Sequence, residues 1–301
     1  MKKTLGLLLI IVFLGMFYTN ISAKEVDLSY NQIFQYPSID ELSKLSSMDE
    51  KYKATNIGAD ILIKLTDTQL LNAVKDYPYL LDIYMFDTFE KGYEVALSRF
   101  DGLRELKYRS LNSTEQLKTA EVFEDITLRS TTISRIKLGN LSNRLLMSTS
   151  GTVLTPNGTS VNVIIYGETL TADEKKEYDD YVKTYYSSAI LVRSATTNYN
   201  CHSYAWYSTS TSNTRWMPNP SAYMTDGSYV QRSTFGNIYI GDKVSYGSSD
   251  HSGIVYNNGS LNYNNLWITS KWGSSGLVRH LITNSPYSTG SNFSNISFWH
   301  R

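Results

Sequence analysis

The sequence predicts an α+β protein whose N-terminal part is a helical bundle and whose C-terminal part combines one short helix with an antiparallel sheet. Between Ile57 and Phe123 apolar residues recur at helical spacing. After Leu191 the chain changes to short aromatic-rich segments separated by Ser, Asn and Gly. The composition changes at the same point, since all five tryptophans follow Leu191.

The first 23 residues have the organisation of a secretory signal peptide. Lys2 and Lys3 precede an apolar run from Leu5 to Phe17, and the small-residue site Ile21-Ser22-Ala23 follows. Cleavage after Ala23 would give an exported protein with no stable membrane association. The alternative is a retained N-terminal anchor, because the apolar run is long for a signal. We therefore expect a secreted, extracellular protein, with association with the cell wall as a further expectation.

The two parts of the remaining chain differ in net charge as well as in sequence pattern. From Leu191 onward seven basic and three acidic residues give +4, whereas 19 basic and 25 acidic residues in 24–190 give −6. We predict a helical domain at 24–128, a connector with a β-hairpin and a charged helix at 129–190, and a second domain at 191–301. No nucleic-acid partner is expected, and the oligomeric state is left open.

Capping signals mark the predicted helices. Thr66-x-x-Gln69 and Ser113-x-x-Gln116 are capping-box patterns that precede apolar residues at helical spacing. Pro78 ends the first of these helices and can form the first turn of a next one, which would carry Leu80, Leu81, Ile83 and Tyr84. An apolar face from Phe89 to Phe100 predicts another helix. The carboxylates of this region are interpreted as solvated helix faces.

The connector is predicted to begin with extended chain, including residues 129–136. A hairpin follows, with a turn at Pro156-Asn157-Gly158 and a strand of alternating pattern at Ser160–Tyr166. The pattern Thr171-Ala-Asp-Glu174 then opens a strongly charged helix. The connector could pack on either neighbour.

Five strands are predicted in the C-terminal part, and Asn257-Asn258-Gly259-Ser260 is a turn signal between two of them. The predicted strands are Ile238–Tyr246, His251–Tyr256, Leu266–Lys271, Val278–Ile282 and Ile296–Trp299. A glycine-rich phosphate loop, a zinc-type Cys/His cluster and a calcium-loop spacing are absent from the sequence. We therefore expect neither a cofactor nor a metal.

Cys201, in the stretch NYNCHSYAW, is the only cysteine of the chain. It cannot form an internal disulfide, which leaves intermolecular pairing, an inert buried thiol or a reactive one. The turn-prone residues before it and the apolar segment after it predict a helix start, where backbone N–H groups favour a thiolate. A cysteine nucleophile also needs a base, and imidazole has a suitable pKa.

Four histidines are available as that base. His202 adjoins the cysteine, and neighbours on a helix point about 100° apart, so it is a poor base and is interpreted as a structural or rim residue. His251 is better placed, because it begins a predicted strand after the loop GSSD. A helix start that carries the thiol and a strand start that carries the imidazole can face each other. His280 and His300 carry no usable signal.

The order NCHSYAW, IGDKVSY, DHSGIV, followed by a hairpin and another strand, resembles the core of NlpC-type and CHAP-type cysteine amidohydrolases. These belong to the papain-like group of bacterial cell-wall hydrolases. The resemblance covers about residues 195–275 and does not extend to the helical region. Asn200 stands where Asp is frequent, whereas Gly241-Asp242 and the histidine segment match. The resemblance implies a papain-like fold for 191–301.

The resemblance also implies roles for individual residues. Cys201 would be the nucleophile, with its own backbone N–H in the oxyanion site, and His251 would be the general base. The third residue, which orients the imidazole, would be Ser270, with Asn265 as the alternative. Serine departs from the pattern there, because these families more often use His, Asn, Gln or Glu.

These roles predict a secreted hydrolase that cleaves amide bonds through an acyl-enzyme, with peptidoglycan peptides as the expected substrate. The net positive charge of 191–301 suits an anionic wall polymer. A protein substrate is a variant within the same class. A second hypothesis is an inactive papain-like protein that binds the wall or acts as a toxin-like module. In a third hypothesis, the acidic helical region masks the basic domain as a pro-segment or inhibitor.

Overall fold

The computed structural model describes residues 29–112, 148–232, 235–247, 250–259, 262–287 and 295–301. The predicted signal peptide, the helix expected after Ser113 and the extended segment at 129–136 lie outside these ranges. So does the proposed boundary at residue 128. Among the described residues, no helix combines the length and the apolar character needed to cross a bilayer.

Short helices make up the described N-terminal part. They are a 3₁₀ helix at Tyr30–Gln32, α1 (Ile39–Ser43), α2 (Met48–Ala54), α3 (Ala59–Leu62), α4 (Asp67–Lys75), a 3₁₀ helix at Leu80–Met85, α5 (Phe89–Arg99) and α6 (Asp101–Asn112). The capping box predicted for α4 is confirmed, because the Thr66 hydroxyl accepts from the Gln69 N–H and the Gln69 side chain accepts from Thr66. Each of these bonds satisfies a backbone donor that the helix start leaves unpaired.

The segment from Leu80 to Arg99 positions a loop that proves central to the site. After Pro78 the chain forms a 3₁₀ helix rather than an α-helix, and Phe86, Asp87 and Thr88 then lead into α5. The 3₁₀ helix and α5 pack very closely, since a Cβ at Gly92 would lie 1.9 Å from the Ile83 carbonyl oxygen. Only glycine fits at this crossing, which fixes the loop between the two helices.

The connector contains the predicted hairpin and helix. β1 (Thr149–Leu154) pairs antiparallel with β2 (Ser160–Ile165), and β2 pairs with the short β4 (Arg215–Trp216). The charged helix α7 (Ala172–Tyr185) begins at Thr171, whose capping box with Glu174 is confirmed. The hairpin therefore adds a sheet to the C-terminal part.

A seven-stranded antiparallel sheet forms the centre of the C-terminal part, in the order β3-β9-β8-β7-β6-β10-β5. Its strands are β3 (Ile190–Arg193), β5 (Val230–Gln231), β6 (Lys243–Tyr246), β7 (His251–Asn257), β8 (Trp267–Lys271), β9 (Leu277–Leu281) and β10 (Ile296–His300). Helix α8 (Ser221–Thr225) precedes β5. Together with the helices, these sheets confirm the α+β class.

The first of the five predicted strands starts later than expected. Residues 238–242 form a turn before β6, in which the Asp242 carboxylate accepts from the Tyr239 N–H at 2.9 Å. Gly241 has a φ of +94°, a conformation that favours glycine, so a strand cannot run through it. β6 to β10 otherwise lie where the sequence predicts strands.

One buried apolar cluster includes side chains from both ends of the chain. Tyr79, Ile83 and Met85 of the helical part share it with Trp272 and Val278 of the sheet. Burial of this shared surface is the main source of stability that joins the two parts. The Asp87 loop is thereby held against the sheet.

Lys271 anchors the loop that leads to Cys201. Its side chain is fully buried at the end of β8, and its Nζ donates to the carbonyl oxygens of Thr196 (2.9 Å), Gly273 (2.7 Å) and Ser275 (2.5 Å). Three acceptors match the three protons of an ammonium group. The buried charge is thus satisfied, and Thr196 is held five residues before the cysteine.

Candidate active site around Cys201

Cys201 and His202 form the first helical residues of a short segment that continues as a π-helix at Ser203–Tyr207. Asn200 precedes them and is completely buried. Its Oδ1 accepts from the N–H groups of Ser203 (3.1 Å) and Met217 (3.0 Å), so Asn200 caps the helix start. The cysteine therefore occupies the predicted position.

The amide of Asn200 also donates two hydrogen bonds. Its Nδ2 donates to the Met217 carbonyl at 2.8 Å and to Asp87 Oδ2 at 2.9 Å. A carboxylate at position 200 would offer no donor and would face a second negative charge. Asn200 thus links the helix start to Asp87.

Asp87 is the residue that sequence reasoning missed. It lies in the loop before α5, and its Oδ1 accepts from the Cys201 thiol with a sulfur–oxygen distance of 3.6 Å. Its Oδ2 lies 3.2 Å from His202 Nε2. The expectation that the carboxylates of this region are solvated helix faces is wrong here, because the Asp87 side chain is only 18% exposed. No local pattern joins residues 114 positions apart.

The surroundings of Cys201 favour the protonated thiol. The residue is 1% exposed, and burial and then the Asp87 charge raise its pKa well above the ordinary value. The backbone N–H groups of Ser252 and His202 act in the opposite direction and lower the pKa. Desolvation and the adjacent anion outweigh these donors, so the resting sulfur carries its proton.

His202 lies inside the site rather than at its rim. It is 1% exposed, and the ligand atoms of Asp87, Cys201 and His202 all lie within 4.8 Å of one another. Both ring nitrogens have partners, because Nδ1 lies 2.8 Å from Ser252 Oγ and Nε2 faces Asp87. The Ser252 hydroxyl also accepts from Trp206 Nε1 at 2.8 Å. His202 therefore has no nitrogen left for the thiol.

His251 begins β7, as predicted, and is completely enclosed. Its ring stacks on Tyr287 at a centroid distance of 3.4 Å, and the Tyr287 hydroxyl donates to the Met85 carbonyl. The Nε2 of His251 has no hydrogen-bond partner among the described residues. Burial, followed by the charges of His280 and His202, lowers the pKa of His251 well below its ordinary value. His251 is thus a neutral imidazole with an unengaged nitrogen.

Ser270, predicted to orient His251, contacts another histidine. Its hydroxyl lies 2.8 Å from His280 Nε2 and accepts from Trp272 Nε1 at 3.1 Å. His280 Nδ1 lies 2.8 Å from the Leu281 carbonyl oxygen and must donate to it, so Nε2 accepts the Ser270 proton. The single hydroxyl proton is therefore committed to His280. The alternative, Asn265, lies exposed in a 3₁₀ helix at Tyr263–Asn265.

His280 should make the protein sensitive to acid. Burial lowers its pKa from 6.5 to about 4, although the bond to Leu281 opposes this shift. The unfolded chain therefore binds a proton more readily between these pH values. Neutral His280 therefore contributes to the free energy of unfolding. The contribution is complete above pH 6.5 and decreases as the pH falls towards 4, by about 3 kcal/mol at most.

The test compares urea unfolding between pH 7 and pH 4 in the wild type and in His280→Gln. We expect the variant to lose part of the pH dependence. Glu94→Gln is the control, since Glu94 lies exposed on α5. If the free energy of unfolding of His280→Gln changes with pH as much as that of the wild type, another group causes the acid sensitivity.

Removal of the Asp87 charge should activate the thiol. We expect Asp87→Asn to accelerate alkylation of Cys201 by iodoacetamide at pH 7, on the order of tenfold, because the thiolate fraction rises as the thiol pKa falls. Asp250→Asn is the control, since Asp250 pairs with Lys91 of α5 at 3.1 Å and is not among the groups that act on the pKa of Cys201. A rate in Asp87→Asn equal to or below that of the wild type would contradict this electrostatic role.

Comparisons with protein-family models, with curated proteins and with solved structures found no match for this chain.

Proposed function

We propose that the protein is a secreted cysteine hydrolase that cleaves amide bonds, with peptidoglycan peptides as substrate. The observation that carries this proposal is the setting of Cys201. Its sulfur lies at a helix start within reach of the Ser252 N–H, and Ser252 directly follows His251, whose Nε2 has no hydrogen-bond partner among the described residues. The proposed nucleophile and the proposed base are therefore on the two elements that the sequence indicated, and in the resting structure the thiol bonds to Asp87 rather than to His251.

In the proposed reaction, the Cys201 sulfur attacks the amide carbonyl while its proton passes to His251 Nε2. The tetrahedral intermediate then expels the amine, which takes the proton from His251, and a thioester forms on Cys201. Water, deprotonated by His251, attacks the thioester and releases the carboxylic acid and the thiol. Burial raises the pKa of the resting thiol and lowers the pKa of His251, so transfer of the proton between them is unfavourable in the resting conformation.

In the resting conformation a substrate cannot reach Cys201, so hydrolysis requires a movement that opens the site. Cys201 is 1% exposed, and it contacts Asp87 in the loop between the 3₁₀ helix and α5. The Tyr84 carbonyl accepts from the Ser274 N–H at 3.3 Å, and Met85 accepts from Tyr287. These contacts support the idea that the N-terminal region masks the site. Tyr287→Phe removes the bond to Met85 and should raise the activity of the intact chain; unchanged activity in this variant would argue against the idea.

A second candidate is an inactive papain-like protein that binds the wall or acts as a toxin-like module. Two observations favour it: the thiol is buried beside an anion, and the hydroxyl proton of Ser270 goes to His280. Such a protein would bind purified peptidoglycan without releasing new amino groups.

The test measures hydrolysis of purified peptidoglycan and of its stem peptides by the wild type and by Cys201→Ala. The readout is the number of new amino groups. We expect the variant to lose at least about 10³-fold in rate, as removal of a nucleophile does. Unchanged hydrolysis by Cys201→Ala would exclude the nucleophile role, and binding without hydrolysis by the wild type would favour the second candidate.

A further inference from the structure

Three side chains of the types that ligate transition metals meet at the start of the nucleophile helix. Asp87 Oδ2 lies 3.2 Å from His202 Nε2, and Asp87 Oδ1 lies 3.6 Å from Cys201 Sγ. The carboxylate thus touches the other two groups with one oxygen each. We propose that Asp87, Cys201 and His202 form a binding site for a divalent transition-metal ion of the zinc class.

The three ligand groups are close enough for one ion. With bonds of about 2.3 Å to sulfur and about 2.0 Å to nitrogen and oxygen, tetrahedral ligands lie about 3.3 Å apart for oxygen and nitrogen and about 3.5 Å apart for oxygen and sulfur. The observed contacts of 3.2 Å to His202 and 3.6 Å to Cys201 use different oxygens of Asp87, and the ligand atoms all lie within 4.8 Å of one another. Binding therefore requires the Asp87 carboxylate to turn so that one oxygen faces both other ligands.

Outer partners hold the ligands in place. The Nδ1 of His202 lies 2.8 Å from Ser252 Oγ, which leaves Nε2 directed at the site, and Asn200 donates to the Asp87 carboxylate at 2.9 Å. A metal-bound histidine usually has such a partner on its second nitrogen, which fixes the tautomer and the ring orientation. The three ligands are thus preorganised.

His251 does not belong to this group. The ligand atoms of Asp87, Cys201 and His202 all lie within 4.8 Å of one another, and no nitrogen of His251 lies within that distance of all three. The protein therefore supplies three ligands, and a tetrahedral ion would take its fourth ligand from water.

The donor set selects the class of ion. A thiolate and a carboxylate supply two negative charges to balance a divalent cation, and sulfur with imidazole nitrogen favours zinc, cobalt and copper over magnesium and calcium. Binding displaces the thiol proton, which is released to solvent. If the proposed hydrolase function holds, the ion also occupies the sulfur that attacks the substrate, so it would act as a reversible inhibitor.

The test titrates the intact protein with Co²⁺ and follows the absorption spectrum. We expect one equivalent to bind, with a thiolate-to-cobalt charge-transfer band and visible bands of tetrahedral intensity, and Zn²⁺ to abolish both. Cys201→Ser should lose the charge-transfer band. Asp87→Asn and His202→Gln should weaken binding by at least about tenfold. His300→Gln, at an exposed histidine, should bind as the wild type does.

Absence of saturable binding by the wild type, or a spectrum unchanged in Cys201→Ser, would overturn the proposal. A second measurement does not depend on how the variants fold: Zn²⁺ should protect Cys201 of the wild type from alkylation, whereas Mg²⁺ should not. Equal alkylation with and without Zn²⁺ would also overturn it. Neither experiment requires hydrolysis, so the two proposals can fail separately. A protein that binds the metal but does not hydrolyse peptides would refute the proposed function and support the metal site.

Discussion

Replacement of His251 by Gln is expected to lower kcat/KM for peptide hydrolysis by about 10²–10⁴-fold, the range in which a general base contributes. The reason is the difference between the two histidines near the thiol. Both nitrogens of His202 are occupied, by Asp87 and Ser252, whereas the Nε2 of His251 is unengaged among the described residues. Of the two histidines, only His251 has a nitrogen that is not already engaged.

The comparison with His202→Gln decides between the two bases. We expect this variant to retain more activity than His251→Gln, because His202 contacts Asp87 and Ser252 and does not accept the thiol proton. The pH profile of kcat/KM gives a second readout, since loss of the base should remove the acidic limb. A larger loss in His202→Gln than in His251→Gln would transfer the role of base to His202.

Replacement of Asp82 by Ala is expected to destabilise the protein by about 3–5 kcal/mol. This carboxylate is 6% exposed and accepts three tyrosine hydroxyls, from Tyr52 (2.8 Å), Tyr181 (2.9 Å) and Tyr186 (2.7 Å). Its removal leaves three buried hydroxyls without this acceptor, at about 1–3 kcal/mol for each that stays unsatisfied. Burial raises the pKa of Asp82, and the three hydroxyls oppose that shift.

Urea unfolding measures this effect, and Asp82→Asn should fall between the wild type and Asp82→Ala because one acceptor oxygen remains. Glu94→Ala on the exposed face of α5 is the control, for which a change below about 0.5 kcal/mol is expected. A small effect in Asp82→Ala would mean that the tyrosines find other partners. It would also mean that this cluster does not tie the N-terminal helices to α7.

Local patterns in the sequence predicted most of the secondary structure. The capping boxes at Thr66 and Thr171, the hairpin around Asn157 and the strand that begins at His251 depend on neighbours a few residues away. Such features follow from the periodicity and hydrogen-bonding capacity of short segments. The helix start that carries Cys201 belongs to the same class.

The partners within the site could not be predicted in this way. Asp87 reaches Cys201 across 114 positions, and tertiary packing brings it there: the close contact of α5 with the 3₁₀ helix and the apolar cluster shared with the sheet. The partner of Ser270 is His280, on the adjacent strand β9, and the pairing register that joins them is not visible in the sequence.

The position of His202 differs from what a regular helix predicts. Neighbouring side chains on a regular helix point in different directions, which makes His202 a poor partner for Cys201. The chain instead passes into a π-helix at Ser203, and the Asp87 carboxylate lies against both side chains. The two groups thus share a partner, although they do not face each other directly.

The most direct test of the central claim is intact-protein mass spectrometry of the wild type, quenched with acid during turnover of an ester analogue of a stem peptide. With an ester, deacylation limits the rate and the acyl-enzyme accumulates. The account predicts an added mass equal to the acyl group, mapped to the peptide that contains Cys201 and absent from Cys201→Ala. Turnover with no mass added at Cys201, or with the acyl group on another residue, would contradict it.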